Sequence, residues 1–382
     1  MKGIYEALLL DGQRVVTYHG NNIWPEISDV SRVPFTQDIL NKRLDRLSSE
    51  SYFSQLHKLD NSVFSSAVKY FDSIGAEWCN LPLTTLMISS PGEVYAGKTL
   101  DYTTDTLPVE LSWFNSDKRI FLSESSQFYL EMRLLSEGID RVFSIYNSFR
   151  KEGADFSHLS EFQHIEFEGH VDFKKNIEIA QELLHQIAQQ TIVKNEALLN
   201  LTRPEEDLTV LVDSFAKDKI PVLRFSDALR ILREDTKSDR YIDFSLKNFG
   251  AWEEVRLTQI LGSHVWLTHY PVLEIPFYHR AMKDSESGIP VAENADLILL
   301  GGREVVGAGV RMSDSEALKE KAKVFNLPPE DYDPYLAMRS NPSYRESAGF
   351  GLGWQRLTQW LMRCPLIWET CHVPRGHLIP RP

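Results

Sequence analysis

The stretch Phe149–Glu168, FRKEGADFSHLSEFQHIEFE, decides how the rest of the chain is read. A Phe-Arg and a Lys-Glu pair open it, a short polar loop follows, and apolar and acidic residues then alternate. Period-2 alternation over Phe162–Phe167 predicts a strand, and the apolar run Val142–Phe149 supplies its partner. Two strands joined by a loop with Gly153 and Asp155 make an antiparallel hairpin. That hairpin sets a cation (Arg150), acids (Glu152, Glu161) and an aromatic face (Phe162) around one bound molecule. A guanidinium beside an exposed ring suits a nucleotide, with phosphates on the cation and the base on the ring. An ordinary charged surface hairpin has the same composition, so the rest of the chain has to decide.

A chain of 382 residues with 42% hydrophobic and 25% charged content buries a substantial core. Its net charge of −13 argues against wrapping a polyanion by bulk charge, which lowers the expectation for tRNA without removing it. Cys79, Cys364 and Cys371 form no CxxC pair and are expected to be reduced thiols of a cytoplasmic protein. The opening MKGIYEALLLDG has too brief an apolar run for a signal peptide. No stretch approaches the roughly 20 apolar residues of a membrane span.

FRxE, then HLxEF, then IExE resembles motif 2 of the class II aminoacyl-tRNA synthetases, in the aspartyl/asparaginyl branch. The loop is shorter by about one residue than the family's, and Ser157 stands where the family usually has Arg. Other segments carry the resemblance in order. Asp60–Ile74 is an amphipathic helix pattern capped by Gly75, and Trp78–Leu81 reads as a strand ending at Pro82. This is similar to motif 1, which implies a homodimer. Phe121–Leu134 resembles a strand end passing into a pocket-lining helix, with Gln127 at the family's substrate-contacting Gln. Leu130 replaces the Lys of aspartyl enzymes, and Glu131 matches the Glu of asparaginyl enzymes. An acid there disfavours an anionic side chain and favours an N–H donor. Residues 83–118 lack the family's Glu-Gly-Gly loop, which leaves the reading of the substrate's amino group open.

Asn176–Gln190 predicts an amphipathic helix, and Arg224–Arg233 a helix capped near Ser226. Asp296 leads into GGREVVGAGVRM, similar to the family's GxEVxGGSxR strand pair, with Glu304 and Arg311 at family spacing. Gly349–Met362, GFGLGWQRLTQWLM, resembles motif 3, its glycines allowing close approach to a nucleotide. Gln355 replaces the usual acid there, and Ser347 stands where many members have His.

The resemblance implies an α+β fold, an antiparallel sheet flanked by helices with no N-terminal OB-fold barrel. Residues 1–50 are expected to be a short extension and 51–382 the catalytic domain, with a possible insertion at about 191–255. It also implies the co-substrate ATP with Mg²⁺. Arg150, Glu152, His158, Phe162, Glu304 and Arg356 would hold the nucleotide, with Arg150, Arg356 and Glu304 catalytic. Glu304 and Asp296 would hold the metal; Gln127, Glu131 and Arg311 would hold the amino acid. The expected reaction adenylates asparagine, aspartate or a close analogue and passes the acyl group to ammonia or an amine. A truncated asparaginyl-tRNA synthetase and a catalytically silent dimer are the alternatives.

Overall fold

Eight strands make the central sheet: β1 (Glu77–Trp78), β2 (Arg141–Phe149), β3 (Glu161–Gly169), β4 (Val222–Arg224), β5 (Val265–Thr268), β6 (Asn294–Ile298), β7 (Glu304–Val310) and β8 (Ala348–Gly353). Their spatial order is β4-β5-β6-β7-β8-β3-β2-β1. The computed structural model describes residues 3–25, 36–90, 95, 108–112, 117–151, 155–204, 207–285 and 287–376. The predicted hairpin is β2 with β3, paired from Arg141 opposite Gly169 to Phe149 opposite Glu161. Pairing is antiparallel from β5 through β2, and parallel only at the two margins, β4 with β5 and β1 with β2. The expected α+β architecture is what the chain adopts.

The alternation seen in the sequence assigns the two faces. Ile165 and Phe167 of β3 and Phe350 and Leu352 of β8 are fully buried on one side. There they meet α1 (Ser51–Ser73) and α3 (Phe173–Thr202), while α2 (Gln127–Arg133), between them in the chain, lies at the opposite face. Phe71 of α1 stacks on Phe143 at 4.5 Å and on Phe167 at 5.9 Å, and Phe167 stacks on Phe350 at 5.4 Å. Such aromatic layers combine large apolar burial with favourable ring geometry.

The opposite face carries acids and glycines in register. Glu166 lies opposite Gly351, Gly351 opposite Gly307, and Gly307 opposite Asp296. One step along, Glu168, Gly349, Gly309 and Asn294 form a second row. The glycines keep this face low so that side chains from other elements can lie on it. A Cβ at Gly349 would sit 2.1 Å from Glu168 Oε2 and 2.4 Å from the Phe167 carbonyl.

Element boundaries differ from expectation where tertiary contacts decide them. Helix α1 begins at Ser51 rather than Asp60, because Phe53, Leu56 and Leu59 continue its buried stripe. Helix α3 runs from Phe173, capped by Asp172 whose side chain accepts from the Lys175 N–H, well past Gln190. The strand at 78–81 shortens to β1, and the helix at 224 starts at Phe225, with Arg224 as its N-cap in place of Ser226. Within residues 191–255, β4 extends the sheet edge. Glu6–Leu10, Gln13–Tyr18 and Asn21–Trp24 form a small antiparallel sheet. It docks through Trp252 Nε1 to the Leu8 carbonyl at 2.9 Å and the Tyr5 N–H to the Gly301 carbonyl at 2.8 Å. No described helix is long and apolar enough to cross a membrane.

The glycine rows make a contrast that can be measured. Gly349→Ala should lower unfolding stability by about 2–3 kcal/mol or more, since backbone and a buried carboxylate must shift. Gly353→Ala, whose new Cβ meets nothing closer than 3.9 Å, should cost far less. Denaturant titration of the two variants checks this; equal losses would contradict the packing described.

Candidate active site

A cavity of about 380 Å³ opens over the acid-and-glycine face. At one end Arg150, just past β2, lies with its guanidinium 5.2 Å from the ring centre of Phe162 on β3. Arg356 enters from α6 (Trp354–Met362), the helix after β8; helices α4 (Ala251–Leu261) and α5 (Pro329–Ala337) lie earlier in the chain. Arg356 donates from Nη1 to the Glu304 carbonyl at 2.9 Å and from Nε to the Ser157 carbonyl at 3.4 Å. Period 2 on β3 brings Phe162 and His164 to this face. His164 accepts or donates at Nδ1 to Ser148 Oγ at 2.7 Å. Burial, then the charges of Arg150 and Arg356, push its pKa down to about 3, so it is a neutral ring.

Glu304 and Asp296 crowd together over Gly307. Glu304 Oε1 and Asp296 Oδ1 lie 3.2 Å and 3.7 Å from the point a Cβ there would occupy. Burial first, and then the Glu304 charge, push the Asp296 carboxyl well above the usual range, against a hydrogen bond from Tyr270. Two hard oxygen donors that repel each other fit Mg²⁺, which typically takes one or two carboxylates plus substrate phosphates. Among the described residues no group of three or more ligating side chains gathers at one point. The donor set therefore suits a cation that arrives with phosphates.

In the β2–β3 loop, His158 Nδ1 bonds Asp155 Oδ2 at 2.8 Å, and the Ser157 N–H donates to Asp155 Oδ1 at 2.7 Å. Burial alone would raise Asp155, but His158, the Ser157 N–H and Arg303 outweigh it and bring the carboxyl down to about 2. Glu152 lies outside the described residues.

At the other end, Gln127, at the first turn of α2, donates to Glu168 Oε2 at 2.6 Å and to the Phe167 carbonyl at 2.9 Å. Arg311, expected to meet the amino acid, is instead buried off the cavity lining and grips the same buried carboxylate, Nη2 at 2.8 Å and Nε at 3.1 Å, and Ser347 Oγ donates to it at 2.8 Å. Glu131 is placed differently from the sequence reading. It is buried behind the cavity wall, with Arg339 Nη2 at 2.7 Å, the Tyr335 hydroxyl at 2.5 Å and the Tyr344 hydroxyl at 3.3 Å. Burial pushes its carboxyl up and Arg339 pulls against that. Its charge is answered within the protein, so it does not face a substrate unopposed.

Several cavity residues escaped the sequence reading. Glu166 accepts from Ser125 Oγ at 2.8 Å, and burial pushes its carboxyl up to about 7. Ser89 and Ser90, in the segment that lacks the family's Glu-Gly-Gly loop, reach the cavity and are held by Glu124, the Ser89 hydroxyl at 2.7 Å. Arg303 lines the cavity too. The IExE pattern put Glu166 in view; nothing local marked Arg303.

Residues 47–377 match the family described as tRNA synthetases class II (D, K and N). The chain is 28% identical over 371 residues to the asparagine–tRNA ligase of Thermoplasma acidophilum, covering 96% of this chain and 78% of that one. The asparaginyl-tRNA synthetase of Pyrococcus horikoshii, solved with asparaginyl-adenylate, matches with TM-score 0.76 at 24% identity, over 90% of this chain and 73% of that one. The Entamoeba histolytica enzyme, also with asparaginyl-adenylate, gives TM-score 0.72 at 21% identity, over 88% and 70%. At these identities the two structures establish likeness of fold.

Glu166 gives a pH test. Its carboxyl titrates near 7 when folded against 4.5 as the ordinary value, so the folded state holds the extra proton in that window. Stability from this group is full at low pH and declines as pH rises through it. In urea titrations, wild type minus Glu166→Gln should therefore fall by about 3 kcal/mol across the window. A flat difference would contradict the burial of the charge.

Proposed function

The chain belongs to the class II tRNA synthetases, and from that premise we propose that its cavity adenylates asparagine, aspartate or a close analogue and passes the acyl group to a small nucleophile. Members of this class activate an amino acid with ATP. The substrate carboxylate attacks the α-phosphorus, a carboxyl–phosphate bond forms, and pyrophosphate leaves with the electron pair. The substrate supplies its own nucleophile, so the protein's task is position and charge.

The observation that carries the reading is the meeting of Phe162, Arg150, Arg356 and the Glu304–Asp296 pair on one cavity. Arg150 would hold the α-phosphate and the attacking carboxylate, Phe162 would stack on the base, and Arg356 would hold the outer phosphates. His158 would add a phosphate contact from the loop. Glu304 and Asp296 would hold Mg²⁺, which neutralises phosphate charge when bound with ATP. Gln127 would meet the amino acid, whose ammonium is suited to Glu166, and Arg311 would reach it only by giving up part of its grip on Glu168. Because Arg339 balances Glu131, repulsion from that carboxylate is no ground for excluding aspartate.

A small acceptor is supported by the net charge of −13. Transfer to tRNA is the second reading, favoured by the activity named for the Thermoplasma relative. A homodimer is supported by Phe64 on α1 and Trp78 on β1, exposed at 49% and 59%. In sedimentation, Trp78→Glu should shift a dimer to monomer; an unchanged dimer would move the interface elsewhere.

The acceptor is tested by offering labelled asparagine or aspartate with ATP and ammonia, hydroxylamine or bulk tRNA. Amide or hydroxamate without label on tRNA is the expected result, and charged tRNA would establish the second reading. Arg356→Ala should lower activation by about 10²–10³-fold, as loss of a donor to developing charge does. No product from any mixture would leave the silent dimer.

A further inference from the structure

Two arginines converge on Ser157. Arg303 donates from Nη1 to Ser157 Oγ at 2.7 Å, and Arg356 donates from Nε to the Ser157 carbonyl at 3.4 Å. Residue 157 itself brings no cation to the loop. A guanidinium from the turn between β6 and β7 stands at that spot instead.

The fixing of Arg303 is specific. Its Nε and Nη2 donate to Glu254 of α4 at 2.7 Å and 3.4 Å. Glu254 also accepts the Glu304 N–H at 2.9 Å, so one carboxylate sets both the cation and the start of β7. A guanidinium has five N–H donors. Nε, Nη2 and Nη1 each spend one on Glu254 or Ser157, which leaves two on a side chain that lines the cavity. The side chains of Arg303 and Arg356 are only 12% and 20% exposed, so their charges act where water screens weakly. A pre-oriented fork with donors to spare, beside Glu304 and Arg356, has the geometry that planar recognition of phosphate requires.

We infer that Arg303 is a phosphate-contacting residue of this chain, supplying to the outer phosphates of the nucleotide the cation that the loop lacks at Ser157. This rests on the ATP reading above. It also implies an exchange: an arginine at 157 would face Arg303 and Arg356 together, so the loop tolerates a cation there only when 303 gives one up.

Calorimetric binding of MgATP and of AMP to the full chain, with no amino acid present, tests this. Arg303→Gln should weaken MgATP about 30-fold and AMP less than about 3-fold, the size of a lost charge-assisted bond. Adding Ser157→Arg to that variant should recover at least about 5-fold for MgATP. Should the Gln variant unfold, Arg303→Lys keeps the pair with Glu254 and should still lower the MgATP-to-AMP preference, by about 3–10-fold. Equal losses for both nucleotides without rescue, or no loss, would overturn the assignment and leave Arg303 a structural tie. Wild type that binds no MgATP would overturn the nucleotide reading and this inference with it.

Discussion

A carboxylate sealed beneath a β-sheet costs several kcal/mol unless its oxygens are bonded and its charge is paired. Glu168 meets that demand with donors from Gln127, Arg311 and Ser347. Through this one group, β3 is tied to α2, to the end of β7 and to the entry of β8. The glycines opposite make it possible, because a side chain at 349 would occupy the carboxylate's own space. Acid and glycine are thus two halves of one constraint. The same pairing recurs one row away, where Glu166 lies opposite Gly351, and it leaves an open face with charged walls.

Charge then divides the cavity. Arg150, Arg303 and Arg356 stand at the end where Phe162 offers a ring, and Glu304 with Asp296 stands among them. Behind the wall at the other end, off the cavity lining, Arg311 and Arg339 are answered by Glu168 and Glu131. In the proposed reading a polyphosphate with its cation takes the first end. The small zwitterion of that reading takes the second, beside Gln127 and Glu166. Position and pre-oriented charge are what adenylation asks of a protein, since no side chain need act as nucleophile.

The sheet's centre was legible in the sequence because its signals are local. Period-2 alternation gave β3 and its partner, and the glycine-rich runs marked β7 and β8, on or beside which Glu304 and Arg356 reach the cavity while Arg311 is buried against Glu168. What stayed hidden depends on distance along the chain. Glu131 matches the Glu of asparaginyl enzymes in sequence, but its partner Arg339 comes from 208 residues away. Arg303 finds Glu254 and Ser157 at separations of 49 and 146 residues. No pattern within a window predicts such pairs. Ser89 and Ser90 were hidden for a different reason: their segment has no periodicity, and Glu124 and Tyr332 fix it from outside.

The most direct measurement is the exchange of labelled pyrophosphate into ATP, with asparagine and aspartate offered separately and no tRNA present. Exchange that depends on one of these acids, and that is lost in Arg150→Ala with the fold intact, is the predicted result. Failure of both acids to support exchange, in protein that binds MgATP, would contradict the assignment of the cavity to their activation.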